Sequence, residues 1–155
     1  ESRCFGPWPL GGYSVTDAQQ AYFDARGKLL PIINSESNFN AAYQSGTDPR
    51  IQKMMGATWL ALVLRMGVLN GLSYNVYYSF SSSESYGRTQ PTGGAGFGMV
   101  NQDNNKPWYP YYVHKMIGNN LAVGDQTIAT TSSSSDIRPL AWIHGDKLSF
   151  GVVIY

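Results

Sequence analysis

The stretch LLPIINSESNFN, residues 29–40, contains the strongest candidate for chemistry in this sequence. A run of aliphatic residues ends abruptly, and Glu36, one of only three glutamates in the chain, follows it. Its small polar neighbours are Asn34, Ser35, Ser37 and Asn38. Polar groups that donate hydrogen bonds to a carboxylate favour its charged form. Two interpretations follow from the residues alone: an ionised carboxylate used in catalysis, or a glutamate that only caps a helix or loop.

The composition favours an extracellular protein that contacts sugars. Aromatic residues make up 14% of the chain, with eleven tyrosines, and charged residues also make up only 14%. Pyranose faces stack on aromatic rings, and sugar hydroxyls pair with Asn and Ser side chains. The net charge of +1 without any run of Lys or Arg predicts no nucleic-acid partner. The sequence also lacks an apolar run of about 18 residues, so no membrane span is predicted.

No metal site and no cofactor are predicted. Cys4 is the only cysteine, which excludes an internal disulfide and a cysteine-based zinc site. His114 and His144 have no second histidine or acid at ligand spacing. The glycine-rich run GGAGFG, residues 93–98, follows a Pro/Thr-rich loop rather than a strand, so we interpret it as a flexible loop and not as a nucleotide-binding motif.

The elements that must position Glu36 alternate between helix and strand. A helix from Ser14 to Gly27 precedes an apolar strand. Polar and apolar residues hardly alternate along that strand, which predicts that both of its faces are covered. A long helix then begins near Pro49, ends near Gly67 and places a methionine-rich stripe in the core. The remaining predicted segments are a strand at 71–80, a Ser/Gly-rich loop at 81–98, a helix at 106–121, and β segments beyond residue 123 with a hairpin turn at 144–146. This order predicts βαβ units in a parallel sheet, followed by a separate all-β module. Because two strands cannot form a stable parallel sheet by themselves, the pattern also indicates a piece of a larger protein.

Three segments resemble a known arrangement. They are AYFDARGKLLPIINSESNFN, ATWLALVLRMGVLNGLSYNVYYSF and GFGMVNQDNNKPWYPYYVHKMIGNNL. In this order they are similar to the last quarter of a (β/α)8-barrel glycoside hydrolase of the large retaining clan, with catalytic glutamates at the ends of strands four and seven. The nearest members are xylosidase-like or cellulase-like enzymes with a C-terminal β-sandwich, whose first strands resemble GDQTIATTSSSSDIRPLAWIHGDKLSFGVVIY. Those enzymes usually carry Thr-Glu where this chain has Ser35 and Glu36.

The resemblance implies an α/β fold: the C-terminal portion of a TIM barrel at residues 1–121 and the start of an accessory β-sandwich at residues 122–155. It implies that Glu36 is the nucleophile of a retaining double displacement on a β-glycan, the predicted carbohydrate partner. The acid/base then comes from strand four, outside this sequence, so the remaining part of the barrel is a required partner and this chain alone is catalytically incomplete. Glu84, in the Ser-rich loop, is interpreted as a solvated residue.

The resemblance also implies a set of sugar-binding residues around Glu36. They are Trp8, Asn34, Asn38, Tyr43, Tyr78 and Phe80. Because side chains alternate along a strand, Tyr78 and Phe80 are predicted to share one face, while Tyr77 points to the other. Ordinary core or rim packing stays open as the alternative for each aromatic residue.

Two other classes of function stay open. One is a non-catalytic carbohydrate-binding or extracellular structural protein on a barrel-derived scaffold. The other is a self-assembling extracellular β protein, which the apolar C-terminal strand permits and the long amphipathic helix opposes.

Overall fold

The structure is a computed structural model that describes residues 23–27, 31–39, 49–83 and 96–154. Residues 23–26 are the described end of a helix, which closes at Gly27 in a left-handed conformation, φ 70°, as predicted. The start of that helix, predicted at Ser14, lies outside the described residues. The elements that follow are β1 (Ile32–Ser37), a 3-10 turn (Pro49–Gln52), α1 (Met54–Leu69), β2 (Leu72–Tyr77), β3 (Ser81–Ser82), β4 (Val100–Asn101), α2 (Tyr109–Asn120), β5 (Gln126–Ile128), β6 (Ile137–His144) and β7 (Lys147–Ile154).

Helix α1 packs through small and aliphatic residues rather than through the predicted methionine stripe. Its buried residues include Ala57, Leu60 and Val63, which recur every three positions on one face. Met54, at the start of the helix, is 61% exposed, so the assignment of the methionines to the core is wrong at this end. The helix ends where Gly71 adopts a φ of 72° and turns the chain into β2.

Strands β1 and β2 pair in parallel and, with α1 between them, form the predicted βαβ unit. One face of this pair is covered by the helices, in a core that joins Leu60 of α1, Tyr77 of β2 and Val113 of α2. The other face is open: Ile33 is 57% exposed and Tyr74 is 64% exposed. The prediction that both faces are covered is therefore wrong for the described residues, because no described segment packs against that side.

The predicted loop at 81–98 contains structure at both ends. Ser81–Ser82 forms β3, which pairs in parallel with β4. Gly98 lies so close to β3 that a Cβ atom there would be 2.4 Å from the backbone nitrogen of Ser82. Residues 96–98 are buried, which corrects their interpretation as part of a flexible loop. The chain then enters α2, where the buried Pro110 lies in the first turn.

The last three strands form an antiparallel sheet in the order β5-β6-β7. The predicted hairpin is confirmed, since His144 pairs with Lys147 and Gly145 adopts a φ of 61° between them. Two side chains tie this sheet to the helices. Arg65 Nε of α1 donates to the carbonyl oxygen of Pro139 at 2.8 Å, and Trp142 Nε1 donates to that of Asn120 at 2.5 Å. The domain boundary between residues 121 and 122 stays a prediction.

Candidate active site

A β-bulge in β1 marks the candidate site. Asn34 pairs with Asn75, and Ser37 pairs with Tyr77, so β1 advances one residue more than β2 over the same interval. The extra residue falls within the segment that contains Ser35 and Glu36, and both of these residues are exposed. A bulge turns the strand locally and changes where its side chains point. The irregular pairing therefore lies at the predicted nucleophile.

The site lies at the carboxyl-terminal edge of the parallel pair. The two strands run in the same direction, and the N–H of Tyr78 extends their pairing by donating to the carbonyl oxygen of Ser37 at 3.0 Å. Glu36 is the residue before Ser37 and is exposed at this edge. In barrels built from parallel strands, catalytic side chains project from this end of the sheet.

The polar neighbours of Glu36 do not bind its carboxylate. Asn34 Nδ2 donates to Asn75 Oδ1 at 2.8 Å, and Ser37 Oγ donates to the carbonyl oxygen of Val76 at 3.2 Å. Within the described part of the chain, no hydrogen bond or ion pair reaches the Glu36 side chain. The expectation that these neighbours keep the carboxylate ionised by donating hydrogen bonds to it is wrong for Asn34 and Ser37, because both side chains donate to the neighbouring strand instead.

Asn38 joins three segments directly after β1. Its Nδ2 donates to the carbonyl oxygen of Tyr78 and to that of Phe97, the latter at 3.0 Å, while its Oδ1 accepts from the N–H of Phe39 at 2.6 Å. The end of β1, the end of β2 and the segment at 96–98 are thus held by one amide. Sugar binding by Asn34 and Asn38 stays a prediction, and in this structure both amides bind the protein itself.

The aromatic residues at the end of β2 and just after it differ in exposure, and the prediction that Tyr78 and Phe80 share one face stays a prediction. Tyr78 is 48% exposed and Phe80 is 66% exposed, whereas Tyr77 is buried with its ring edge-on to His114 at 5.7 Å between centroids. The Tyr78 ring lies 5.9 Å from the Phe97 ring, and the peptide bond between Tyr78 and Ser79 is cis. Two exposed rings thus follow the strand adjacent to Glu36.

Burial makes the inward-facing tyrosine a weaker acid than a free tyrosine. It raises the pKa of Tyr77 to about 12, although a hydrogen bond with the Asn38 side chain acts in the opposite direction. The phenol therefore stays protonated at neutral pH and does not act as a base there. Trp8, Tyr43 and Glu84 lie outside the described residues, so their predicted roles stay predictions.

Sequence reasoning missed two residues that shape the site. The sequence places Phe97 in a flexible loop, yet its ring packs against Tyr78 and its carbonyl oxygen accepts a hydrogen bond from Asn38. An aromatic residue inside a glycine-rich run was the available signal. For Asn75, which binds Asn34, the available signal was its polar amide side chain in the middle of a mostly apolar and aromatic strand.

Neither a metal centre nor a membrane span is found in the described ranges. No three of their His, Cys, Asp or Glu side chains cluster in a way that could hold an ion. None of the helices described there is long and apolar enough to cross a bilayer.

Comparison with known proteins identifies the fold. No protein-family model and no curated protein matches the sequence. Among solved structures, the chain is similar to a GH30 endoxylanase from Clostridium papyrosolvens, with a TM-score of 0.53 and 11% sequence identity. The match covers 92% of this chain and 31% of that chain, so this chain spans about a third of the length of that structure.

At this identity the comparison establishes the fold alone. The chain has a mixed α/β fold that resembles part of a GH30 enzyme, in which a TIM barrel is combined with a β-sandwich. The resemblance to a barrel glycoside hydrolase drawn from the three sequence segments is thus confirmed at the level of fold.

Proposed function

We propose that this chain is the C-terminal portion of a retaining β-glycoside hydrolase and that Glu36 is its nucleophile. The observation that carries the proposal is the exposed carboxyl group of Glu36 at a bulge, on the carboxyl-terminal edge of a parallel strand. The structural similarity to a barrel glycoside hydrolase supports the assignment of that strand to a barrel.

The chemistry requires two carboxyl groups about 5 to 5.5 Å apart. An oxygen of Glu36 bonds to the anomeric carbon while the second carboxyl group protonates the departing glycosidic oxygen. Water then gives a proton to that second group and attacks the same carbon, and Glu36 leaves as a carboxylate. The second group is supplied from outside this chain, as expected for the remaining part of the barrel.

The open face of the β1 and β2 pair supports a larger assembly. Its exposed residues Ile33, Tyr74 and Val76 are large and apolar, and burial of such surface against further strands is favourable. The remaining strands of the barrel, on the same polypeptide or another, are the proposed occupant of this face. Without them, the chain is expected to show no hydrolysis.

The proposed substrate is a β-glycan outside the cell. Tyr78 and Phe80 expose their rings next to the strand that carries Glu36, where a sugar face can stack. A secreted location agrees with the tyrosine-rich, weakly charged composition and with the polymeric nature of such substrates.

The decisive experiment compares Glu36→Gln with Glu84→Gln in the protein that includes the rest of the barrel. Loss of Glu36 as nucleophile is expected to lower kcat on the order of a thousandfold or more with glycan binding retained, while Glu84→Gln keeps its activity. A 2-deoxy-2-fluoro glycoside with a good leaving group should label Glu36 covalently.

Unchanged turnover in Glu36→Gln would remove this residue from the mechanism. Glycan binding without turnover in the unsubstituted protein would favour the alternative, a non-catalytic carbohydrate-binding protein on the same scaffold.

A further inference from the structure

The side-chain amide of Asn38 uses both of its N–H groups inside the protein. A primary amide has two N–H donors, and those of Asn38 go to the carbonyl oxygen of Tyr78 and to that of Phe97, the latter at 3.0 Å. Its Oδ1 accepts from the backbone N–H of Phe39 at 2.6 Å, and the phenol of Tyr77 also hydrogen-bonds with this side chain. A sugar hydroxyl can accept from the amide only after a bond to one of the two carbonyls has broken. The geometry therefore favours a connecting role over direct sugar contact.

Tyr78 is held at the end of β1 on both sides of its backbone. Its N–H donates to the carbonyl oxygen of Ser37 at 3.0 Å, and its own carbonyl oxygen accepts from Asn38. The next residue is held as well, because the N–H of Ser79 donates to the carbonyl oxygen of Phe97 at 3.1 Å. The Tyr78 ring nevertheless stays exposed, with the Phe97 ring 5.9 Å away. An exposed ring is thus carried on a backbone that is fixed relative to β1.

Asn38 is itself attached to the helical layer, as a residue that fixes its neighbours must be. The ring of Phe39, the next residue, lies edge-on to the ring of Trp59 in α1, at 6.1 Å between centroids. Trp59 packs against the hydrophobic core, and the guanidinium carbon of Arg50 lies 5.2 Å from the centroid of the Phe39 ring. The amide of Asn38 therefore extends from a backbone that the helix holds in place.

We propose that Asn38 is a positioning residue, whose amide fixes the Tyr78 ring relative to the Glu36 carboxylate. The inference rests on the proposed function, in which Glu36 attacks the anomeric carbon of a sugar stacked on Tyr78. Glu36 lies two residues before Asn38, so one amide joins the strand that carries the nucleophile to the residue that carries the ring.

This connection matters for the reaction because stacking by itself leaves a sugar free to slide across the ring. Attack requires the reacting atoms to be about 3–3.5 Å apart and in line, and a misplacement of about 1 Å can cost a hundredfold in rate. Without the amide of Asn38, the sugar still binds to the exposed ring, but its anomeric carbon is less often aligned with Glu36. The loss is therefore expected in the rate of reaction rather than in binding.

Steady-state kinetics on an aryl β-glycoside, in the protein that includes the rest of the barrel, measure this difference. Asn38→Ala is expected to lower kcat by about 10-fold to 100-fold while KM changes by less than about threefold. Gln52→Ala is the matched control, since it removes one bond to the same segment, from Gln52 Nε2 to the carbonyl oxygen of Gly96 at 3.0 Å, and leaves Tyr78 held. Its kcat should be unchanged.

Three results would overturn the positioning role. A raised KM with kcat unchanged in Asn38→Ala would indicate direct sugar contact instead. Unchanged values of both constants would show that the connection is unimportant for the reaction. An equal fall of kcat in Asn38→Ala and Gln52→Ala would indicate a general loosening of the segment.

Glu36→Gln separates failure of this inference from failure of the proposed function. Turnover retained in Glu36→Gln would mean that the proposed nucleophile is wrong, and the positioning role would be lost with it. Normal kinetics of Asn38→Ala beside an inactive Glu36→Gln would overturn the positioning role alone. If Asn38→Ala does not fold, Asn38→Asp replaces it, because aspartate keeps the size and an acceptor oxygen but loses both N–H donors.

A crystal structure of the unsubstituted protein labelled with a 2-deoxy-2-fluoro-β-glycoside needs no variant at all. The sugar ring is expected to lie on Tyr78, with Asn38 Nδ2 still bonded to the carbonyl oxygens of Tyr78 and Phe97. A hydrogen bond from Asn38 Nδ2 to the bound sugar would overturn the proposal.

Discussion

Asn34 donates a hydrogen bond from its side-chain amide to the side-chain oxygen of Asn75, at 2.8 Å across the parallel strands β1 and β2. The same two residues are register partners immediately before the bulge that contains Glu36. A side-chain bond thus reinforces the backbone ladder at the last regular position before the candidate nucleophile.

Asn34→Ala is expected to lower the free energy of unfolding by about 1–3 kcal/mol, because Asn75 loses its partner in a partly buried site. Urea unfolding measures this change. Ser35→Ala, at the exposed neighbouring position, is the control and should stay within about 0.5 kcal/mol. Equal stability of the two variants, with weaker glycan binding by Asn34→Ala alone, would instead support the predicted sugar-binding role of Asn34.

Gly98→Ala is expected to destabilise the fold by about 1–3 kcal/mol or more, since its new methyl group would overlap the backbone of β3. Gly118→Ala is the matched control. It lies near the end of α2 with nothing within 4 Å of the added atom, and alanine there should stabilise the helix by about 1 kcal/mol. Thermal unfolding of both variants gives the comparison, and a neutral effect at position 98 would show that β3 moves easily.

Asp125 is expected to make the free energy of unfolding depend on pH in the acid range. The backbone N–H of Ala122 donates to Oδ2 of Asp125 at 2.8 Å, and Nδ1 of His144 lies 2.6 Å from Oδ1. Together these two contacts hold the pKa of Asp125 below its ordinary value of 3.8. As the pH falls, Asp125 takes up a proton in the unfolded chain before it does so in the folded chain. The contribution of its carboxylate to the free energy of unfolding is therefore complete well above pH 3.8. It is lost as the pH falls through the lowered pKa.

Asp125→Asn should therefore flatten the fall in unfolding free energy on the acid side, in urea titrations between pH 7 and pH 2. Asp136→Asn, an exposed aspartate elsewhere in the same sheet region, serves as the control. Curves for Asp125→Asn that run parallel to those of the unsubstituted protein would contradict the assignment.

Trp142→Phe is expected to cost about 1 kcal/mol from the lost hydrogen bond to Asn120, and more from the lost volume of a buried ring. Trp108→Phe is the control, since the indole N–H of Trp108 makes no hydrogen bond within the described part of the chain. Chemical unfolding of the two variants measures the difference. A smaller loss for Trp142→Phe than for Trp108→Phe would show that the contact with α2 contributes little.

The sequence predicts those parts of the fold that local chemistry specifies. Gly27 and Gly145 stop a helix and turn a hairpin because glycine adopts positive φ readily, and both positions were predicted. The order of strand, helix and strand follows from hydrophobic periodicity. The position of Glu36 at the end of β1 could be predicted because the polarity changes so abruptly after the apolar run.

Long-range pairing determines the rest, and periodicity does not encode it. The bulge at Ser35 and Glu36 depends on the register of two strands that are about forty residues apart in the chain. The partners of Asn34 and Ser37 are mispredicted for the same reason, because a side chain next to Glu36 can bind the adjacent strand instead. Phe97 was misassigned because glycine-rich composition indicates mobility only where nothing packs against the segment.

The frame around the segment between Ser83 and Gly96 has a consequence for how such a protein can diversify. On one side Ser83 Oγ donates to Asp103 at 2.7 Å, and on the other Gln52 Nε2 donates to the carbonyl oxygen of Gly96 at 3.0 Å. Because both bonds lie outside this segment, insertions or replacements between the two anchor points are expected to leave β1 and β2 in place. Variation confined to the intervening segment would then leave the proposed reaction centre at Glu36 to be inherited unchanged.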